Sequence, residues 1–186
     1  MTYLREGLGP SRPPVVFRLS ALLACLLTSI SVVGGPFEDG LAAFEAANRA
    51  QDSKHEGYAK AYVLWKELAG QGDGPSQYHL GILHMYGLGG AVFDQLAGFK
   101  LINRSAEAGY RQAQSYMGVM FEKGDGVFTR HDVAAARSWY HKAAQAGHCY
   151  AIRRLQRAYE KGELGLAPDP AQAQEWRQRE TDCDKR

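Results

Sequence analysis

From Tyr58 onward, stretches with apolar residues at three- and four-residue spacing alternate with short polar breaks centred on glycine. The periodic stretches predict helices over about 58–70, 75–86, 94–108, 111–122, 132–146, 149–160 and 169–180. Ahead of them, Gly40 to Asn48 has helical spacing at Leu41, Phe44 and Ala47 and reads as an opening half-repeat, while polar, glycine-ended Gln51 to Gly57 reads as a loop. The last helix carries Gln172, Gln174, Glu175, Arg177, Gln178 and Arg179 and suits a solvated cap.

The pattern recurs. Gly72, Gly109 and Gly147 are 37 and 38 residues apart, and other positions keep step with them. Ala61, Gly98 and Ala136 lie eleven before these glycines, and Ala69, Ala106 and Ala144 three before. Gly81 and Gly118 lie nine after, where Gln156 breaks the rule. His84, Phe121 and Tyr159 follow at twelve, Gly87, Gly124 and Gly162 at fifteen, and Asp94, Asp132 and Asp169 at 22 or 23. A fixed period of this length marks a repeat array, in which each helix pair buries its face against the next and no central core forms.

Each position has a physical reading. Glycine just past a helix supplies the left-handed conformation that ends it, so Gly72, Gly109 and Gly147 end the first helix of a pair and Gly87, Gly124 and Gly162 the second. Aspartate caps the next helix, its carboxylate accepting the free N–H groups of the first turn. Small residues let helix axes approach, with Trp65, Leu101 and Trp139 filling the gaps. Pro75 suits a first turn, where its missing N–H is not needed.

The run Gln114-Ser115-Tyr116-Met117-Gly118-Val119-Met120-Phe121, then Gly124-Asp125-Gly126-Val127, Asp132, Ala136, Trp139-Tyr140, Lys142-Ala143-Ala144 and Gly147, resembles a Sel1-like repeat, as does Gln77-Tyr78-His79-Leu80-Gly81 with Gly87 and Gly89. Tetratricopeptide repeats have a shorter period of about 34 and lack this glycine pair. The resemblance spans roughly Tyr58 to Arg179, with His84, Gly90 and Gln156 departing from the usual residues. It implies an all-α, right-handed α-solenoid of helix-turn-helix repeats. It also implies a non-catalytic adaptor that holds a protein or peptide segment on its concave face. A cysteine-rich secreted branch of the family is linked to β-lactam hydrolysis and carries a cysteine pair in each repeat, the alternative reading. Beyond the leader only Cys149 and Cys183 are present.

The start of the chain follows another pattern. Arg5, Arg12 and Arg18 precede an uncharged apolar run, Leu19 to Val33, then Gly34 and Gly35. That order describes a secretory signal peptide, the run being short for a membrane span of about 20 apolar residues. Cleavage near Gly35 would release a periplasmic or secreted protein with no membrane span; an uncleaved leader would anchor it. Leu22-Leu23-Ala24-Cys25 also resembles a lipid-attachment box, although the apolar run continues past the cysteine. The expected divisions are 1–34 signal peptide, 35–57 opening helix and loop, 58–168 three repeats, and 169–186 capping helix and tail. The leader takes three of the 22 basic residues and Glu6 of the 20 acidic ones, leaving 19 of each. A mature chain with no net charge and no basic stripe argues against a nucleic-acid partner.

No nucleophile elbow, phosphate loop or paired carboxylates stand out, and no cofactor is implied. His79 and His84 point to different sides of one helix, and His141 and His148 lie on different helices, so the converging ligands of a metal site are not expected. For partner binding, the positions ten and six before each anchoring glycine share one helix face: Tyr62 and Lys66, Phe99 and Asn103, Arg137 and His141. Aromatics with arginine are enriched at binding hot spots; packing within the solenoid is the alternative for Tyr62 and Phe99. Cys149 begins one helix and Cys183 follows the last. Antiparallel packing brings them towards each other, and Cα atoms within about 7 Å would permit a disulfide. Otherwise Cys149 is a small buried apolar residue and Cys183 a free thiol on a frayed tail.

Overall fold

A computed structural model describes residues 34–49, 54–124 and 126–183. The leader up to residue 33, with its lipid-attachment box, lies outside the described residues, and the expected cleavage site near Gly35 falls just ahead of the first helix. Within them the chain is all-α: α1 (Pro36–Arg49), α2 (Lys54–Gly70), α3 (Gly74–Tyr86), α4 (Gln95–Glu107), α5 (Arg111–Lys123), α6 (Val133–Gln145), α7 (Cys149–Lys161) and α8 (Pro170–Cys183).

The expected caps form. Asp94 accepts from Ala97 N at 2.9 Å, Asp132 from Ala134 N and Ala135 N at 2.9 Å, and Asp169 from Ala171 N and Gln172 N at 3.0 Å. Asp73 adds a fourth cap, accepting from Ser76 N at 2.8 Å, so α3 starts at Gly74 and Pro75 falls in its first turn. Gly72, Gly109 and Gly147 turn the chain at φ of 93°, 94° and 78°. Each is followed by a backbone bond from the next residue to the helix just ended, as from Asp73 N to Leu68 O at 3.1 Å.

Three boundaries differ from expectation. The opening helix begins at Pro36 rather than Gly40, where Glu38 takes the amide of Gly35 at 2.9 Å. The loop expected to end at Gly57 gives way at Lys54, because α1 and α2 press together there: a Cβ on Gly57 would lie 2.6 Å from Ala43 O. Cys183 is the final residue of α8 instead of following it.

Helix approach is closest within α1–α2, α3–α4 and α5–α6. Gly81 and Gly98 face each other, a Cβ on either meeting the other's carbonyl oxygen at 2.8 or 2.7 Å, and a Cβ on Gly118 would touch the Tyr140 ring at 2.7 Å. Gln156, in the matching place on α7, turns along its own helix to Glu160 at 3.1 Å. The buried gap-fillers are Trp65, Ile102 and Tyr140, all 0% exposed. Leu101 and Trp139 were expected there, but they sit one residue earlier and remain half-buried. The side chains gather into three apolar clusters in series, over α1–α4, α3–α6 and α5–α8, as a stacked array requires. Glutamines tie the joints: Gln77 Nε2 donates to Ala69 O at 3.4 Å and Gln114 Nε2 to Ala106 O at 3.2 Å.

Candidate functional site, a groove beside the glycine turns

Two neighbouring cavities share Arg111 and Gln112. The first, about 590 Å³, is lined by Phe37 and Leu41 of α1, His79 of α3, and the turn Gly109-Tyr110. The second, about 500 Å³, reaches from the start of α5 across Gly147-His148-Cys149-Tyr150 to Arg179 and Cys183 of α8. Thus α1, α3, α5 and α7, with the turns that lead into α5 and α7, supply most of the wall.

The first cavity is aromatic. His79 stacks on Trp65 at 4.6 Å between ring centres, with Phe37 at 5.6 Å and Tyr110 at 6.5 Å. Burial pushes the imidazole down to about 4, so it is neutral at pH 7. Burial likewise raises Tyr78 and Tyr110, with the nearby Arg111 charge opposing the shift at Tyr110.

The second cavity is polar and cationic. Arg111 reaches only a long contact to Gly147 O at 3.5 Å, and Arg179 lies over the Trp176 ring at 4.7 Å. Among the described residues neither has a carboxylate partner. His148 is lowered by burial first and then by Arg111 and Arg153. His148 Nδ1 and Gln112 Oε1 are buried without a hydrogen-bond partner. Helices α5 and α7 begin at Tyr110 and His148 with no side-chain cap, unlike the aspartate-capped α3, α4, α6 and α8. Cys149 and Cys183 both line this cavity with no disulfide between them, and Cys183 Sγ lies 3.7 Å from Gly147 O.

The six residues chosen from the sequence stand on α2, α4 and α6, and none lines either cavity. Tyr62 is half-buried edge-on to His84, with exposed Lys66 Nζ 5.5 Å from its ring. Phe99 stacks on Phe128 at 5.2 Å, and Asn103 Nδ2 donates to Glu107 at 2.8 Å. Arg137 donates to Leu164 O at 3.1 Å, and His141 packs edge-on against Trp176 at 5.5 Å. Burial and then the Arg137 charge lower His141. Among the groove residues that the hot-spot criterion passed over, Tyr110 to Gln112 and His148 to Tyr150 lie one to three places after the anchoring glycines. A signal was present there: the position after the glycine reads Asp73, Tyr110 and His148, so only the first copy has an aspartate to cap the helix that follows.

A separate polar centre joins α5, α6 and α7. Tyr140 donates to Glu122 at 2.6 Å, Arg154 Nε to Glu122 at 3.0 Å, and Arg154 Nη1 to Glu163 at 2.7 Å. Burial alone would raise Glu122, but hydrogen bonds from Arg154 and Tyr140, with the arginine charge, hold it below its usual range. Burial and the adjoining Glu122 push the Tyr140 phenol up. These groups satisfy one another, away from both cavities.

Among the described residues no helix is long and apolar enough to cross a membrane. A Sel1 repeat protein from Oxalobacter formigenes is 31% identical, with a TM-score of 0.58 over 63% of this chain and 86% of that one. The protein c5321, a protective antigen present in uropathogenic Escherichia coli strains that displays an SLR fold, is 24% identical. It has a TM-score of 0.55 over 79% of this chain, which spans 38% of that protein, a likeness of fold alone. The Sel1 repeat pattern itself matches residues 74–110, 111–148 and 150–179, opening on α3, α5 and α7, where the expected division began one helix earlier with α2. With most of its helices matched by that pattern, the chain belongs to the Sel1 repeat family, whose fold suggests a protein-interaction scaffold.

Proposed function

We propose that the chain is a non-catalytic scaffold of the cell envelope that holds a protein or peptide segment on the concave face of the solenoid, along α1, α3, α5 and α7. The observation carrying this is the pair of adjoining cavities that share Arg111 and Gln112 and run from Phe37 of α1 to Cys183 of α8. The basic leader and apolar run before Gly34 support export. In an oxidising compartment Cys149 and Cys183, on one cavity wall, form a disulfide that staples α8 to α7. Thiol counting on unfolded, unreduced protein tests this, two reactive thiols per chain being the contrary result.

Crosslinking in the native envelope with tagged full-length protein tests the scaffold: a reproducible partner, lost when Gln112→Trp blocks the groove, is expected. Nitrocefin turnover by the purified protein would favour the β-lactam-hydrolysing alternative instead. N-terminal sequencing that returned residues before Arg18 would contradict cleaved export.

A further inference from the structure

The groove is asymmetric: apolar and aromatic between α1 and α5, cationic between α5 and α8. Arg111 stands at the junction and Arg179 at the far wall, both exposed and without carboxylate partners among the described residues. Between them open the starts of α5 and α7, which lack side-chain caps. The first-turn amides of a helix carry partial positive charge and seek an acceptor. Beside them, Gln112 Oε1 is a buried acceptor without a donor and His148 Nδ1 a buried ring nitrogen without a partner. We propose that the groove binds an extended acidic segment of a partner protein. Its carboxylates meet Arg111, Arg179 and the free amides, a backbone N–H meets Gln112 once that buried amide turns into the groove, and an apolar side chain enters beside Phe37, Leu41 and Tyr110. This identifies the occupant of the proposed scaffold and rests on that reading.

Charge selects this occupant over others. The chain's own leader, with Arg5, Arg12 and Arg18 against Glu6, has the wrong sign. A free inorganic anion fits the arginines but leaves the aromatic cavity and Gln112 Oε1 unused. Guanidinium groups match carboxylates in pairs of hydrogen bonds, which makes them selective as well as attractive.

The test uses fluorescein-labelled peptides of about ten residues, roughly 33 Å when extended, alternating leucine with glutamate, lysine or serine. Anisotropy is read with the purified protein at low and high sodium chloride. The glutamate peptide should bind at least about tenfold tighter than the others, and added salt should erode the preference. Arg111→Glu and Arg179→Glu should each weaken it about tenfold, while Arg111→Lys, which keeps the charge and loses the paired hydrogen bonds, should weaken it less. Lys100→Glu, on exposed α4 surface outside both cavities, should change nothing. Circular dichroism confirms that each variant is folded.

Equal binding of the serine peptide, indifferent to the arginine variants, would overturn the acidic assignment and leave the scaffold standing. Displacement of the glutamate peptide by inorganic phosphate or a single-stranded oligonucleotide at lower concentration would assign the groove to phosphates. Self-association abolished by Arg111→Glu would assign it to a second copy. Binding of no peptide overturns the inference, and the crosslinking experiment then judges the scaffold independently.

Discussion

The same buried position is filled differently at the two ends of the array. Trp65 on α2 and Tyr140 on α6 both precede their anchoring glycine by seven residues, and both are 0% exposed. Trp65 meets rings on either side, Phe37 and Phe44 of α1 at 6.3 and 5.5 Å and His79 of α3 at 4.6 Å. Tyr140 brings a hydroxyl that must be satisfied, and its neighbours on α5 and α7 are Glu122 and Arg154. His79 and Arg154 themselves hold one register position, seven after the glycine. Between these ends, Ile102 asks for nothing polar. The Trp65 indole N–H is met by the backbone carbonyl of Phe37 at 3.4 Å and leaves the facing side chains aromatic, whereas the Tyr140 hydroxyl is met by a side chain and commits the facing positions to a charged network.

The comparison predicts unequal costs of truncation. Trp65→Ala should destabilise by about 3–5 kcal/mol, because it empties a filled core site between three helices. Tyr140→Phe, which keeps the ring and removes only the hydroxyl, should cost about 1 kcal/mol. Urea denaturation gives the totals, and hydrogen exchange resolved by peptide should show α1–α3 opening in the first variant while α5–α8 stays protected. Equal loss of protection across both ends would mean that the array unfolds as one unit.

Acid should separate the ends by pH. His79, depressed from 6.5 to about 4, stays neutral in the fold while the unfolded chain takes up a proton. Stability therefore falls as pH drops from the unfolded value through the folded one, by roughly 3 kcal/mol in full. Glu122 is also depressed, so its contribution is present above its unfolded value and is lost as pH falls below it and through the folded value. Between pH 6.5 and 4.5 the α1–α3 end should loosen first, and His79→Phe should remove that step. A single transition below pH 4, unaffected by this substitution, would contradict the assignment.

At the other end, Arg154→Met should cost about 2 kcal/mol, since it leaves Glu122 partly buried without its arginine, while Glu163 keeps Arg157 at 3.1 Å. The loss should shrink on acidification as the carboxylates protonate, opposite to the trend at His79. A titration of the midpoint difference between variant and wild type reads this directly.

These residues also show what the sequence made legible. The period, the glycine turns and the caps at Asp94, Asp132 and Asp169 each follow from a local rule, and each formed. The gap-fillers at Leu101 and Trp139 missed by one residue, because apolar pairs such as Leu101-Ile102 and Trp139-Tyr140 offer either member to the core. Which member turns inward depends on the helix opposite. The groove was harder to read. Tyr62, Phe99 and Arg137 have the residue types of a binding face, but those types also pack, and only the neighbours His84, Phe128 and Leu164 reveal that they do. Tyr110 and His148 were readable in principle, standing where the first copy has its cap Asp73.

The smallest predicted effect concerns two of those originally chosen cations. A role in binding alone would let Lys66 and Arg137 be charge-reversed together at almost no cost in stability, with partner capture weakened. Their surroundings differ. Lys66 is exposed and touches only the Tyr62 ring among the interactions described, so Lys66→Glu should shift stability by about 0.5 kcal/mol or less. Arg137 donates to the carbonyl of Leu164, a buried leucine held at φ 55° where the first two repeats have Gly89 and Gly126. A side chain in the left-handed region costs about 1 kcal/mol that its packing must offset. Removing the bond that fixes this turn should cost about another 1 kcal/mol. Arg137→Glu should therefore lower the urea midpoint more than Lys66→Glu does, and Leu164→Gly in the Arg137→Glu background should lose less than in wild type. If Lys66→Glu abolished partner capture while Arg111→Glu left it intact, the binding face would belong to α2, α4 and α6 after all.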